Sequence, residues 1–305
     1  MTNGAGRFLP FFVAIAIVSW ASAYPVVRIA LHHELAPVPL AAVRYAVAAV
    51  LAVLWIVWKR PVLPALRDMP RVLACGLIGI SFYNILFNCG EVTVSSGAAS
   101  LLISAAPLMA AILAVIFLGE SMPLWGWLGS VISFAGVALI AEGQSGGVAL
   151  GAGATLVFGA AVCGATYTIL QKSLIQRYGA LPSIACILVA GAVFLAPWLP
   201  QGLVSVVHGS TATRLAVLEL GVFPAAIGYA AWAFVIGHMG AARGAAFLYL
   251  LPPVTFVLAF ILAGEVPGFR TLLGGVIVMA GVAIASRYGR PRRIVGAAEV
   301  GAELS

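Results

Sequence analysis

The feature that most constrains this chain is a series of ten apolar runs separated by short, punctuated junctions. They fall near 8–30, 38–58, 71–90, 97–118 and 123–141, then near 150–172, 182–199, 215–237, 244–263 and 270–287. A helix needs about 20 mostly apolar residues to cross a bilayer, and these runs approach or meet that length. They are unbroken rather than alternating with period two, which predicts helices and not barrel strands. Pro37 and Pro39, Pro61 and Pro64, Gly119 through Pro123, and Gly143 through Gly153 mark junctions too short for a soluble domain. Composition agrees: 63% of the residues are hydrophobic and 8% charged, too few charges to coat a water-facing surface. In lipid every backbone polar group needs a partner within the chain, and helices supply it. The expected fold is an all-α integral membrane protein of ten transmembrane helices.

Charge sets an orientation. With the N-terminus inside, Arg7, Lys59, Arg60, Arg67, Arg71, Lys172, Arg177, Arg243, Arg287, Arg290, Arg292 and Arg293 fall on the cytoplasmic side. Arg214, Arg270 and Arg28 fall opposite, and Arg44 lies within the second run. This bias predicts a multi-pass protein of the plasma (inner) membrane with both termini cytoplasmic. The dense cluster Arg290, Arg292 and Arg293 follows the last run, so it reads as a topology signal, and no nucleic-acid partner is expected. Arg7 and Ala21-Ser22-Ala23 imitate a signal peptide, but Pro25 directly after the apparent cut argues against cleavage. Cys75, Cys89, Cys163 and Cys186 lie in apolar runs without a Cys-x-x-Cys pair, so neither a disulfide nor a metal site is expected.

The chain repeats itself. Gly119-Glu120 matches Gly264-Glu265, Gly129 matches Gly274, Ala135–Ala138 matches Ala280–Ala283 and Pro107 matches Pro252, all at one offset of 145. Upstream the offset becomes 147, pairing Gly90 with Gly237 and Gly97-Ala98-Ala99 with Gly244-Ala245-Ala246, while Tyr83 and Tyr229 correspond at 146. Five spans per repeat is odd, so the halves are expected to lie upside down relative to each other. Inverted halves mark many secondary transporters, where a shared site opens alternately to each side.

The segment from Gly90 to Ala141, with Pro107, Gly119-Glu120, Gly129 and Gly136, resembles the second part of the EamA repeat. Ser19-Trp20-Ala21-Ser22 and Arg44 resemble that family's first-helix and second-helix signatures, with Ala21 where the family commonly has Gly. The resemblance implies the drug/metabolite transporter superfamily, ten helices around a central cavity, and greatest likeness to the YddG-type amino-acid exporters. Residues 1–145 would form the first EamA repeat, 146–290 the second, and 291–305 a cytoplasmic tail.

Polar and aromatic groups at mid-membrane depth are the candidate substrate-cavity residues. They are Trp20, Ser22, Tyr24, Tyr83, Asn84, Ser100, Ser104, Tyr167, Tyr229, Trp232 and Tyr249. Rings offer apolar area with a polar edge, or a cation–π face for an ammonium group; Asn84 can donate and accept toward a zwitterion. Trp125, Trp127 and Trp198 lie near run ends and read as interfacial anchors. Arg44 lies about two turns from the outer end of its run, a depth that favours bracing or snorkelling over substrate pairing. Pro25, Pro107, Pro252 and Pro253 interrupt runs and are the candidate hinges or gates, Pro107 and the Pro252-Pro253 pair occupying equivalent places.

A proton-coupled carrier needs a buried carboxylate. Glu34, Asp68, Glu91, Glu120, Glu142, Glu219, Glu265, Glu299 and Glu303 all fall in loops, tails or near run ends, with Glu219 the deepest. The expectation is therefore a gradient-driven facilitator that exports amino acids, acts as a monomer and needs no cofactor. The alternative within transporters is an exporter of cationic drugs or other metabolites; outside them, a non-transporting receptor or assembly subunit. An enzyme is not expected, since no His-Glu-x-x-His motif is present.

Overall fold

The computed structural model describes residues 8–33, 35–118, 120–121, 123–142, 151–239, 245–288 and 292–293. Arg7, Glu34, Gly119, Arg243, Gly244, Arg290 and the tail beyond residue 293 lie outside the described residues. The elements in order are α1 (Leu9–His33), α2 (Pro37–Lys59), α3 (Met69–Cys75), α4 (Tyr83–Glu91), α5 (Ser96–Ile103), α6 (Ala106–Leu118) and α7 (Leu124–Glu142). There follow α8 (Ala152–Tyr178), α9 (Ala180–Leu195), α10 (Leu199–His208), α11 (Thr211–Val222), α12 (Tyr229–Met239), α13 (Leu251–Ala263) and α14 (Phe269–Tyr288). Among the described residues the strands form one antiparallel pair, β1 (Glu120–Ser121) with β2 (Arg292–Arg293).

Among the described residues, six helical segments are long and apolar enough to cross a membrane: Leu9–His32, Pro37–Lys59, Leu66–Glu91, Ala152–Tyr178, Ala180–His208 and Thr211–Val235. Four shorter apolar helices accompany them, Ser96–Ala110, Leu124–Ile140, Phe247–Ala263 and Phe269–Ala285. The apolar runs thus form a multi-pass helical bundle. Large apolar side chains such as Val57, Phe260 and Val276 face outward, as lipid permits.

Where the runs are not straight helices, the sequence supplies a local cause. After Leu195 the chain continues through a 3₁₀ turn (Ala196–Trp198) into α10, extending the expected run at 182–199 to His208. Pro197 and Pro200 sit in the first positions of these turns, where the missing N–H has no helical partner to lose. Gly76–Phe82 joins α3 to α4 as a π-helical stretch, and Phe223–Gly228 joins α11 to α12 in the same way. Pro107 is the second residue of α6, and Pro252 and Pro253 are the second and third of α13. These prolines start the second halves of interrupted helices rather than kink continuous ones, whereas Pro25 lies buried inside unbroken α1.

Packing pairs helices from the two ends of the chain. α1 contacts α11, α12 and α13; α8 contacts α4, α5 and α6; α2 packs on α9, and α7 on α14. The last pair is the tightest. A Cβ on Gly129 would lie 2.6 Å from the Gly281 carbonyl oxygen, and one on Gly136 2.7 Å from that of Gly274. The reciprocal distances are 2.6 Å and 2.8 Å, so the two backbones run antiparallel in direct contact. Ser133 Oγ donates across the same seam to the Val278 carbonyl at 3.2 Å.

Candidate functional site

A cavity of about 240 Å³ lies among α1, α2, α4, α8, α9 and α12, with the ends of α5, α6 and α13. That is below the roughly 300–1,000 Å³ of sites for drug-sized ligands, so it suits a small solute. A larger space of about 390 Å³ lies between the start of α1 and the start of α13. Its wall (Leu9, Val13, Ile17, Phe247, Val254 and similar residues) holds no polar side chain, so it offers nothing to orient a polar solute.

The wall of the first cavity is dominated by rings. Trp20 and Tyr24 come from α1, Tyr45 from α2, Tyr83 and Phe87 from α4, Tyr167 from α8, and Tyr229 and Trp232 from α12. Tyr83 and Tyr229 are each the first residue after a π-helical stretch, and such stretches re-aim the side chains that follow. Trp20 meets Tyr229 edge-on at 5.5 Å between centroids and Trp232 at 5.3 Å, and its Nε1 donates to the Pro224 carbonyl at 3.1 Å. On the opposite wall Phe87 stacks on Tyr83 at 5.9 Å and takes Tyr24 edge-on at 5.3 Å. The ring polarity is thereby preset rather than left to rotamer choice.

One cation sits in this wall. Arg44 lines the cavity and is only 6% exposed, so it neither snorkels to an interface nor stays clear of the cavity, as its depth in the sequence suggested. Its Nη1 donates to Asn84 Oδ1 at 3.3 Å, and its guanidinium lies 5.2 Å from the Tyr45 ring centroid. Asn84 is itself held, its Nδ2 donating to the Tyr45 hydroxyl at 3.0 Å and the Ile80 carbonyl at 2.7 Å. Among the described residues Arg44 Nε has no hydrogen-bond partner. A buried guanidinium edge without a partner is costly, and an anionic group entering the cavity would complete it.

Six of the eleven candidate cavity residues line this space: Trp20, Tyr24, Tyr83, Tyr167, Tyr229 and Trp232. Asn84 stands one layer behind, positioning Arg44 and Tyr45. Ser22 turns away, its Oγ lying 2.9 Å from the Ser19 carbonyl oxygen and 2.5 Å from Glu219 Oε1. Ser100 and Ser104 return their hydroxyls to carbonyls of Gly97 and Ser100 in their own helix. Tyr249 packs against the core cluster around Tyr24, outside the cavity wall. The lining residues Tyr45, Phe87 and Gln171 were not singled out, because depth along a run does not reveal which helix face meets the cavity.

The conclusion drawn from position along the chain, that no carboxylate is buried, needs correction. Glu91 is the last residue of α4 yet fully buried, and both its oxygens lack a partner among the described residues. Glu219 lies within α11 with Oε2 likewise unpartnered. Position along the chain misled here because tertiary packing of α1 and α8 over α4 removes Glu91 from solvent. Beside it Arg28 Nε pairs with Glu265 Oε1 at 2.8 Å, and Ser96 donates to Glu265 through its N–H (2.9 Å) and Oγ (3.0 Å). On other elements Arg177 and Tyr178 converge on Asp68, at 2.8 Å and 2.6 Å. No cluster suited to a metal ion occurs among the described residues.

Comparison with known proteins follows the same lines. A model of the EamA-like transporter family matches residues 8–141 and again 151–287. A protein of Streptantibioticus cattleyicolor named "Probable terminal-alkyne amino-acid exporter" is 37% identical over 92% of this chain and 94% of its own. The "Uncharacterized transporter YdfC" of Bacillus subtilis is 34% identical over 88% of each chain. A "Probable amino-acid metabolite efflux pump" of Salmonella typhimurium is 26% identical over 90% of this chain and 93% of its own. A crystal structure of another protein shares the fold at TM-score 0.59 and 18% identity, covering 92% of this chain and 96% of that one. The family and these relatives are membrane transporters, not enzymes. With the match spanning both halves of the helical bundle, the chain belongs to the EamA-like transporter family.

Proposed function

We propose that this protein exports amphipathic amino acids by alternating access, with the aromatic cavity as the substrate site. The observation that carries this reading is Arg44: a buried cation in a ring-lined cavity, with its Nε unpartnered among the described residues. A substrate carboxylate would pair with that guanidinium, and the rings would receive an apolar side chain and the ammonium. The same arginine disfavours the reading as an exporter of cationic drugs, since a permanent cation would meet a like charge in a water-poor space. The names of the relatives from Streptantibioticus cattleyicolor and Salmonella typhimurium support an amino-acid substrate.

In this reading ten helices cross the inner membrane as two inverted halves, residues 1–145 and 146–290, followed by the tail 291–305, and the protein acts as a monomer. The packing supports it. Contacts of α1 with α11–α13 mirror those of α8 with α4–α6, and the residues crossing the α7–α14 seam, Ser133 and Val278, are themselves repeat-equivalent. Cytoplasmic termini agree with two ties between segments: β1, after α6, pairs with β2 after α14, while Arg28, Ser96 and Glu265 meet at what would be the outer end. The helix breaks before Pro107 and Pro252-Pro253 would act as paired hinges, with buried Pro25 stiffening α1 beside the cavity.

The test is counterflow. Purified protein in liposomes loaded with unlabelled amino acid should take up the same labelled amino acid transiently, in a panel that includes phenylalanine, leucine, threonine and, for contrast, a quaternary ammonium dye. Dye exchange without amino-acid exchange would overturn the substrate assignment. Absence of any exchange would favour a non-transporting receptor or assembly subunit.

A further inference from the structure

Glu91 is not used by the substrate site. It ends α4, is fully buried, and neither carboxylate oxygen meets a donor among the described residues. The nearest cation does not serve it. Arg28 on α1 gives Nη1 to the main-chain oxygens of Glu91 and Val94 and its Nε to the carboxylate of Glu265. The ionisable groups within electrostatic reach of Glu91 are Arg28 and Tyr24 from α1, Arg44 from α2, Tyr83 from its own helix α4, and Glu265 from the segment between α13 and α14. The facing residues of α5 and the stretch 152–162 of α8 carry no ionisable side chain. Two carboxylates therefore stand around Arg28, and its charge balances only one of them. An ionised Glu91 in this arrangement would be buried without partner or counter-ion, which the neutral acid avoids.

We infer that Glu91 is a proton-binding site whose protonated form holds the Glu265 end of the cavity shut. With the proton on, Arg28 is free to clamp Glu265, and through it Ser96 at the start of α5. While the cavity faces the other side, the Glu91 O–H bond breaks and the proton leaves through the cavity; Arg28 then pairs with the new carboxylate instead of Glu265, and the Glu265 end opens. Closing requires a proton from the newly opened side. Tyr24 and Arg44, which are within reach of Glu91, also line the cavity, so the proton has a route to the other side when the cavity faces there. Each cycle then moves one proton opposite to the substrate. The gate follows from the geometry of Glu91 alone; the coupling rests on the transport reading above.

The gate can be read without any substrate. In a background with Cys75, Cys89, Cys163 and Cys186 replaced by Ala, Val94→Cys sits beneath the Arg28–Glu265 pair and Val266→Cys on the exposed segment beside it. Labelling each in nanodiscs with a charged maleimide, and taking the Val94→Cys to Val266→Cys ratio, cancels the pH dependence of the thiol. The ratio should rise between about pH 5 and 8, with the opening constant changing up to about tenfold per pH unit. Glu91→Gln should give a low ratio independent of pH, and Glu91→Asp should restore the rise. Glu265→Gln should raise the ratio while leaving its pH dependence in place. A flat wild-type profile, a Glu91→Gln variant that titrates like wild type, or loss of titration in Glu265→Gln would each overturn the inference. If Glu91→Gln does not fold, the wild-type and Glu265→Gln profiles still decide. In liposomes, an imposed pH gradient should make the wild type accumulate labelled phenylalanine, while Glu91→Gln exchanges it without accumulating. Absence of exchange by the wild type would count against the transport reading and leave the gate to be judged by labelling.

Discussion

Arg44 is the only charged side chain in the cavity wall among the described residues, and Asn84 aims it. Hydrogen bonds to charged groups are worth about 1.5–3 kcal/mol, and about 1.4 kcal/mol is a factor of ten. Arg44→Gln should therefore raise the half-saturating concentration for amino-acid counterflow by roughly 10-fold or more, whereas Arg44→Lys should lose less because the charge remains. Asn84→Leu should produce a smaller rise, since it frees the guanidinium without removing it. These three measurements order charge, geometry and support. If Arg44 merely braced α2, all three variants would lower folded yield and leave the half-saturating concentration of the surviving protein unchanged. Trp20 gives a further residue-level check: Trp20→Phe keeps a ring beside Tyr229 and Trp232 but removes the donor to Pro224, so its loss should be milder than that of Trp20→Ala.

At the scale of elements, the contact of α7 with α14 leaves no room for side chains where the backbones cross. A Cβ on Gly136 would lie 2.6 Å from the Val278 nitrogen as well as close to Gly274. Gly136→Val should lower thermal stability in detergent by about 1–3 kcal/mol or prevent folding, as overpacking does. Gly268→Ala, with open space around its Cβ, should leave the melting temperature unchanged. The interrupted helices make a different expectation. Pro107→Ala and Pro252→Ala would restore an N–H donor where each chain resumes its helix, stiffening the break. Both should slow turnover without changing the half-saturating concentration, and similarly to each other if the halves exchange roles.

At the scale of the molecule, the opposed ends of the bundle predict a labelling pattern. Val266 lies between α13 and α14 and Val62 between α2 and α3, both well exposed. In intact cells an impermeant maleimide should label Val266→Cys, and Val62→Cys only after permeabilisation. Labelling of both from outside would refute the inverted arrangement. Under the proposed topology Arg28–Glu265 would be an outer tie and Arg177–Asp68 an inner one. Breaking them singly should bias the cavity toward opposite sides.

Much of this architecture is legible in the chain itself. Apolar runs specify membrane helices because lipid cannot hydrogen-bond a bare backbone, whereas the Lys and Arg bias gives an expected orientation that the labelling above tests. The aromatic character of the cavity wall is also visible, since most of the rings singled out at mid-run depth line it. What the chain alone leaves undecided is the direction each side chain faces. Arg44 belongs to the cavity because Asn84 and Tyr45 hold it there, and Glu91 is buried because α1 and α8 close over the end of α4. Ser22, Ser100, Ser104 and Tyr249 share the depth of the cavity residues yet turn to carbonyls, a carboxylate or the core. Depth is a one-dimensional property and follows from hydropathy. Facing is a property of three packed helices at once, and only the tertiary structure decides it.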